Sequence, residues 1–296
     1  MQLRLVEKYN KKRFFMKIKF KNVVIVGPGL IGGSIGLVLG KQKIADNIIG
    51  VARHRATLLK AKKKGSITVG ITDLKKAVVD ADLVILATPV MVIKGILSKI
   101  GKLLKKGCIV VDVGSTKAEI VAYAQNFLPS NVHFIGTHPM AGSEKAGAEF
   151  ASNNLFNDSI CFITKNSKTD KAALTIVANL WKTMGAKTVL IEPKQHDDIV
   201  SQISHLPHLI SVALVDCINP RFIKFASSGF KDTTRIAAGD PGIWRDISFS
   251  NKEAILNSIA SFEKKLAVIK KTIKNNQKQI LVQKFQKVKR RRESLK

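Results

Sequence analysis

A glycine-rich turn between an apolar strand and an apolar helix is the feature that most constrains the fold of this chain. Four apolar residues at Val23–Val26 precede the segment Gly27–Gly32, which reads GPGLIG, and an apolar stretch continues to Leu39. This spacing is typical of a dinucleotide-binding domain, in which glycines allow a tight turn and close approach of a pyrophosphate to the helix N-terminus. The predicted cofactor contacts in this segment are Gly27, Gly29, Leu30, Ile31 and Gly32.

Further apolar runs predict a sheet behind this turn. The runs at 47–52, 83–87 and 108–112 lack the alternation of a half-exposed strand, and helix-like segments lie between them. Strands that are buried on both faces and separated by helices indicate a doubly wound sheet. Later strand candidates lie at 132–136, 160–164 and 187–191, with a helix pattern at 169–184. We therefore predict an α/β fold with a Rossmann-type doubly wound parallel sheet, followed by an all-helical C-terminal domain.

The C-terminal hundred residues read as helices around a Gly/Pro-rich loop at 227–243. The helical pattern over 197–214 has one polar and one apolar face, and Pro207 within it should kink or break the helix. The apolar face, which we expect to pack into the core, comprises Ile199, Ile203, Leu206, Ile210 and Leu214, and the polar face comprises Asp197, Ser201, Ser204 and His208. The predicted domains are a basic N-terminal extension at 1–19, a dinucleotide-binding domain at 20–192, a helical domain at 193–280 and a basic tail at 281–296.

The formal net charge of +29 is concentrated at the two ends of the chain. Residues 1–22 carry eight Lys and Arg side chains against one acid, and residues 264–296 carry thirteen against one. A surface built to bind a nucleic-acid duplex would more commonly sit on a folded face. We therefore interpret the basic ends as solvated tails and expect no specific nucleic-acid partner.

Composition also indicates the class of protein and its compartment. With 45% hydrophobic residues the chain should bury a core, and no run approaches the roughly 20 apolar residues of a membrane span. The three widely spaced cysteines, Cys108, Cys161 and Cys217, lie in apolar contexts typical of reduced thiols. We expect a cytoplasmic protein without a membrane partner.

The end of the second predicted strand bears on the choice of cofactor. A domain that binds NAD usually places an acidic residue there, which bonds to the ribose hydroxyls. Here the strand ends Ala52-Arg53-His54-Arg55, and no acid appears before Asp73. Guanidinium groups suit a 2′-phosphate, so the sequence modestly favours NADP over NAD and makes Arg53 a predicted cofactor contact. The alternative is that Arg53 and Arg55 only cover the adenine face or lie in solvent.

The loop Thr137–Lys145, which reads THPMAGSEK, combines a histidine, a hydroxyl and a carboxylate after a short apolar strand. A base at His138 would take the proton of a carbinol while hydride leaves the same carbon, as an alcohol-oxidising dehydrogenase requires. A lone loop histidine is more often structural, and both interpretations stay open here. Ser115 leaves the carboxyl edge of the predicted strand at 108–112, where ligands of open α/β sheets bind.

Two C-terminal patterns also carry polar side chains. His205 and His208 stand three apart on a helical pattern without the further ligands of a metal site, so we predict no metal. The loop at 227–243 contains Arg235, which suits a bidentate grip on a substrate carboxylate. From the residues alone, an ordinary ion pair with Asp232 is an equal alternative.

Several segments in one order resemble the prephenate/arogenate dehydrogenase family of tyrosine biosynthesis, over roughly residues 20–275. They are Gly27–Ser34, Asp112–Lys117, His138–Gly147, Ser204–His208 and Gly229–Ala237 with Trp244–Asp246. Such a set is far more specific than any one motif. The resemblance implies a Rossmann domain, a helical domain that binds substrate and forms a homodimer, and an NAD(P)-dependent reaction. That reaction is oxidative decarboxylation of prephenate to 4-hydroxyphenylpyruvate, or of arogenate to tyrosine.

The resemblance also implies roles for individual residues. His138 looks like the group that polarises the substrate's ring hydroxyl, with Ser115 orienting it, and Arg235 looks like the clamp on a substrate carboxylate. The implied substrate contacts are Arg235, His208, Ser143 and Glu144, the implied gating network adds Asp197 and Asp232, and the implied cofactor contacts add Thr88 and Pro89. No residue that we identify chooses between prephenate and arogenate.

Two other classes of protein stay open at this point. Another two-domain NAD(P)-dependent enzyme, such as a 3-hydroxyacid dehydrogenase or an imine reductase, would share the fold but lack the HPMAGSEKAG and SHLPH segments. A nucleic-acid-binding protein on a Rossmann scaffold would fit the basic ends of the chain. The intact glycine fingerprint speaks against that second class.

Overall fold

A computed structural model describes residues 18–142 and 147–295. The first part of the chain forms an eight-stranded sheet. The strands are β1 (Phe20–Val26), β2 (Ala45–Val51), β3 (Val69–Ile71), β4 (Leu83–Leu86), β5 (Ile109–Asp112), β6 (His133–Pro139), β7 (Ile160–Thr164) and β8 (Lys187–Ile191). They lie in the order β3-β2-β1-β4-β5-β6-β7-β8. Neighbouring strands are parallel except β6 and β7, which are antiparallel. The predicted doubly wound sheet is confirmed, with this one antiparallel pair.

Helices cover both faces of the sheet. They are α1 (Leu30–Lys41), α2 (Arg55–Lys63), α3 (Leu74–Val78), α4 (Val90–Ile100), α5 (Ala118–Phe127) and α6 (Lys171–Thr183). Side chains alternate along a strand, so Ile25 of β1 packs in the same core cluster as Ile35 and Trp181, whereas Val24 packs with Ile93 and Leu97 on the opposite face. This double burial explains the unbroken apolar runs in the sequence.

After β8 the described elements are helical. They are α7 (Pro193–Val200), α8 (Leu206–Asp216), α9 (Ser228–Thr234), α10 (Pro241–Ser250), α11 (Lys252–Lys274) and α12 (Lys278–Glu293). A π-helical turn at Ser201–His205 joins α7 to α8. Because Pro207 has no N–H and its ring crowds the preceding turn, a wider turn just before it relieves the clash. The kink or break expected at Pro207 takes the form of this π turn, within a helical stretch that continues from Pro193 to Asp216.

The predicted loop at 227–243 is wrong in part, because α9 and the start of α10 occupy it, with a 3₁₀ turn at Arg235–Ala238 between them. The side chain of Asp240 accepts a hydrogen bond from the Ile243 N–H at 2.8 Å, and Pro241 opens α10. An aspartate cap followed by proline is a helix-start signal that favours helix in spite of the surrounding glycines. Further along, α12 carries the basic run Arg290–Arg292 on an exposed helix.

The expected core face of 197–214 is also wrong for the single chain. The polar face is the buried one, since Asp197, Ser201 and His208 are buried, as is the neighbouring His205. On the apolar face Ile203 is 59% exposed, and nearby Val212 is 43% exposed. Within the helical stretch Pro193–Asp216 an 18-residue window has a mean hydropathy of 1.2, which suffices for a membrane span by length and composition only. Its polar face instead packs against the sheet domain and neighbouring helices, as an interdomain helix does.

Gly36 marks the closest approach of α1 to the chain beside it. A Cβ there would lie 1.9 Å from the backbone oxygen of Ser66. We expect Gly36→Ala to lower the free energy of unfolding by roughly 1–3 kcal/mol, measured by urea denaturation, because α1 must shift away. The matched control is Gly95→Ala on the exposed side of α4, where an added Cβ meets nothing within 4 Å. Helix propensity predicts a gain of about 0.5–1 kcal/mol for that control. Equal effects of the two substitutions would contradict this packing.

Candidate active site

Predicted functional residues of the first domain lie at the carboxyl edge of the sheet. Across β2, β1, β4, β5 and β6 one aligned row consists of Val51, Val26, Leu86, Asp112 and Gly136. Two residues beyond this row come Arg53 after β2, Thr88 after β4 and His138 near the end of β6. Because parallel strands end at the same edge of a sheet, these three residues lie along one line, with the glycine turn after β1 between the first two.

The glycine turn leaves room for a ligand at the N-terminus of α1. Gly27 has φ +89°, and a Cβ there would lie 2.5 Å from the backbone oxygen of Ala87. A Cβ on Gly32 would lie 2.4 Å from the oxygen of Gly27. At Gly29 an added Cβ would meet nothing within 4 Å, so the space in front of this residue is open. The turn and the helix packing therefore require the outer two glycines, and the middle one faces free space, as pyrophosphate binding needs.

Two further observations fit a bound dinucleotide at this place. No described side chain caps the first turn of α1, which contains Leu30 and Ile31. The hydroxyl of Thr88 is buried without a hydrogen-bond partner in the described structure, and the same side chain approaches the Gly27 turn. Pro89 follows it and precedes α4. A buried orphan hydroxyl beside an open helix N-terminus suits an anionic ligand.

The arginines after β2 lie on the surface. Arg53 is exposed two residues beyond β2, and Arg55 begins α2. Arg55 also lines an open cleft of about 600 Å³ between α2 and the end of β3. The residues lining this cleft are Arg55, Leu58, Leu59, Lys62, Gly70, Ile71 and Thr72. The described lining thus holds two cations and no acid.

His138 is buried and bonded to the helical domain. Its Nδ1 lies 2.9 Å from Nε2 of His196, whose Nδ1 in turn lies 2.7 Å from Oδ1 of Asp197. Burial lowers the pKa of His138 well below 6.5, and the nearby His196 and Lys117 lower it further. Burial also lowers the pKa of His196, although Asp197 opposes that shift. Both imidazoles are therefore neutral at pH 7, and Nδ1 of His138 is engaged, which leaves its Nε2 for a substrate.

His196 is not among the site residues predicted from the sequence. It lies between the motif segments His138–Gly147 and Ser204–His208, and nothing in KQHDD resembles a site by spacing alone. The one local signal is an adjacent His-Asp pair in the first turns of a helix that follows a strand of the sheet. The contact with His138 spans 58 positions and arises only when α7 packs on β6.

Asp197 joins the two domains. Its Oδ1 accepts a hydrogen bond from the Lys117 N–H at 2.8 Å and its Oδ2 accepts one from the Ala118 N–H at 2.9 Å. The carboxylate thus caps the N-terminus of α5 from a helix of the other domain. The gating network implied for Asp197 included Asp232, which is exposed on α9, and Glu144. Glu144 lies outside the described residues.

A buried ion pair supports the loop that carries Ser115. The ammonium of Lys117 contacts the carboxylate of Asp112, and both side chains have no exposed surface. Asp112 also accepts a hydrogen bond from the Gly114 N–H at 2.9 Å. Burial raises the pKa of Asp112 against the attraction of Lys117. Ser115 is half-buried on this loop, whose two ends are held by Asp112 and Asp197.

A second histidine cluster lies on the buried face of α8 and the turn before it. The ring of His208 stacks on Trp244 at 3.4 Å between centroids, and His205 meets the same indole edge-on at 6.2 Å. Nε2 of His205 and Nδ1 of His208 are buried without a described partner. Burial lowers the pKa of His205 to about 4. Buried polar atoms usually have partners, so this cluster suits polar groups of a ligand.

The remaining predicted residues are Arg235, Ser143 and Glu144. Arg235 is exposed at the start of the 3₁₀ turn after α9. Ser143 and Glu144 lie outside the described residues. Within residues 18–142 and 147–295, no group of three or more His, Cys, Asp or Glu side chains could hold a metal ion.

Comparison with known proteins covers both domains. Residues 35–190 match the family model for the prephenate dehydrogenase nucleotide-binding domain, and residues 192–287 match the model for the prephenate dehydrogenase dimerization domain. The prephenate dehydrogenase of Bacillus subtilis is 35% identical over 280 residues, which are 92% of this chain and 76% of that protein.

Solved structures are similar over nearly the full chain. Prephenate dehydrogenase from Aquifex aeolicus, in complex with hydroxyphenyl propionate and NAD⁺, has a TM-score of 0.89 at 35% identity and covers 94% of this chain and 99% of its own. Synechocystis arogenate dehydrogenase has a TM-score of 0.79 at 30% identity, with 92% and 99% covered. The resemblance found in the sequence is thereby confirmed: the chain belongs to the prephenate/arogenate dehydrogenase family.

Proposed function

We propose that this protein is a cytoplasmic prephenate dehydrogenase that oxidatively decarboxylates prephenate to 4-hydroxyphenylpyruvate with NAD(P), in tyrosine biosynthesis. The observation that carries this proposal is the neutral, buried His138 at the sheet edge, near the open glycine turn and bonded to the helical domain. The two unpaired buried thiols, Cys108 and Cys161, are compatible with the reducing cytoplasm. Arogenate is the second candidate substrate, favoured by the likeness to the Synechocystis enzyme.

In this reaction the protein mainly positions the substrate and accepts one proton. A bound nicotinamide supplies the hydride acceptor. Loss of hydride from the carbinol carbon leaves a cationic ring, and departure of the ring carboxylate as carbon dioxide restores aromaticity. His138 accepts the hydroxyl proton at Nε2 as hydride leaves, since its Nδ1 is occupied by His196, and it returns that proton to the phenolate oxygen after carbon dioxide has left, so that the product keeps its hydroxyl. The site therefore needs a neutral imidazole and a fixed substrate more than any strong acid.

Other residues hold and enclose the substrate in this proposal. Arg235 grips a substrate carboxylate, and Ser143 and Glu144 add further contacts with the substrate. His208 offers its unpartnered Nδ1 from the stack on Trp244. Ser115 orients the reacting groups from a loop that is held at both ends. Asp197 and Asp232 act in closing the cleft, and the interdomain bonds of Asp197 support its part.

We also propose that the helical domain forms a homodimer. It matches a dimerization domain, and large apolar side chains are exposed along its last helices. They include Phe249, Leu256, Leu266, Ile273, Ile280, Phe285 and Val288. An apolar surface of this extent on a soluble enzyme normally meets a partner, and a second copy of the chain offers the same surface.

The role of His138 predicts a specific kinetic defect. We expect His138→Asn to lower kcat about 10²- to 10⁴-fold with little change in KM, because the variant loses a base and keeps the binding groups. The assay follows reduction of NAD and NADP at 340 nm with prephenate and with arogenate. His133→Asn is the control, since His133 begins the same strand at the opposite edge. Near-normal turnover by His138→Asn would contradict the assignment, and failure of both substrates would overturn the proposed function.

The burial of His138 predicts where activity is lost at low pH. Because the neutral imidazole is the base and its pKa lies well below 6.5, protonation should reduce kcat/KM only below pH 6.5. The groups around it that contribute are His196, Lys117 and His205. A profile of kcat/KM between pH 5 and 8 measures this limb. An inflection above pH 7 would mean that His138 is not the titrating base or is not buried in solution.

We further propose a preference for NADP, supported by Arg53 beyond β2 and by the absence of an acid between there and Asp73. We expect Arg53→Ser to raise KM for NADP roughly 10- to 100-fold and to leave KM for NAD nearly unchanged, because only the 2′-phosphate loses a charged partner. Lys41→Ser, at the far end of α1, removes an equal charge as a control. A parallel rise in both KM values, or none, would contradict the preference.

A further inference from the structure

Three buried groups form a continuous hydrogen-bonded chain that the proposed reaction uses only at one end. His138 comes from β6, while His196 and Asp197 come from α7. The two distances along the chain are 2.9 Å and 2.7 Å. We propose that His196 is a positioning residue, oriented by Asp197, which holds His138 in the tautomer with a bare Nε2. The kinetic part of this proposal rests on the proposed function, whereas the tautomer itself does not.

The direction of the hydrogen bonds follows from Asp197. An ionised carboxylate only accepts hydrogen bonds, and this one already accepts the N–H groups of Lys117 and Ala118. The hydrogen between Asp197 and His196 is therefore on Nδ1 of His196. A neutral imidazole carries one N–H, so Nε2 of His196 is bare and accepts from Nδ1 of His138. By the same rule Nε2 of His138 is left with a lone pair.

Neighbouring groups keep the two imidazoles neutral and fix their orientation. Burial lowers the pKa of both histidines, and the cation of Lys117, paired with Asp112, adds to the effect. The ring of His196 meets Phe162 edge-to-face at 5.3 Å. Phe162 is also the partner of His138 in the β6–β7 register. The ring of His196 is thus held between Phe162 and His138, whose ring it meets edge-on at 5.1 Å, and little freedom remains for it to turn over.

The direct test reads the tautomers without using activity. The chain has six histidines, so long-range ¹H–¹⁵N spectra of the full-length protein labelled in histidine resolve each ring at pH 7.5. His138→Asn and His196→Gln assign the two signals. We expect both rings as the Nδ1–H form in the wild type, and an Nε2–H population of His138 in His196→Leu. Finding Nε2–H on His138 in the wild type would overturn the proposal.

The kinetic test separates positioning from packing. His196→Leu keeps an apolar volume but removes the acceptor, and His196→Gln keeps an amide oxygen near the place of Nε2. We expect a loss in kcat of about 10²- to 10⁴-fold for Leu, rescue to within about tenfold of wild type for Gln, and small changes in KM for both. Thermal unfolding and NAD(P) binding verify that each variant is folded. Equal losses in the two variants, or full activity of the Leu variant, would overturn the proposal.

The two tests fail in different ways. If neither prephenate nor arogenate is turned over by the wild type, the proposed function fails and the tautomers remain measurable. If the substrate is turned over but His138 carries its hydrogen on Nε2, the positioning role alone fails.

Discussion

The carboxylate of Asp197 is the contact on which the candidate active site depends. It accepts two backbone N–H groups at the N-terminus of α5, where unpaired donors and the helix dipole favour a negative charge. The same carboxylate accepts from His196, which contacts His138. Since His196 and Asp197 share α7, a shift of the helical domain would change the surroundings of His138. The geometry at the sheet edge is therefore set by a contact between domains.

Burying so many polar groups is costly unless each has a partner or loses its charge. Lys117 and Asp112 are both fully buried and paired. The histidines instead lose their charge, because burial lowers the pKa of His138, His196 and His205 and so keeps the rings neutral. Among the buried side-chain polar atoms without a described partner, the hydroxyl of Thr88 lies at the glycine turn, and Nε2 of His205 and Nδ1 of His208 lie beside Trp244, in the places where cofactor and substrate are proposed to bind. The other such atoms belong to Ser66, Asp112, Asn153 and Trp181.

The orientation of α7 and α8 has a second consequence. With the polar face of these helices turned inward, the apolar side of α8 and its neighbours is left on the outside of the single chain. That arrangement is unfavourable for an isolated monomer, because exposed apolar surface stays hydrated. It agrees with the match of this region to a dimerization domain. Burial of the polar face of α7 and α8 therefore both encloses the candidate site and leaves the apolar face exposed for the proposed homodimer.

Local patterns determined much of the fold by themselves. The turn at Gly27–Gly32 and the apolar runs of the sheet can be recognised from neighbouring residues in the sequence. A tight turn, or a strand that is buried on both faces, restricts the residue types at only a few consecutive positions. The strand candidates at 160–164 and 187–191 coincide with β7 and β8. Only the tertiary structure decided which face of 197–214 is buried and that His196 meets His138. Amphipathic periodicity specifies two faces but not the partner of each, and neighbouring residues do not show which side chain 58 positions away His196 will contact.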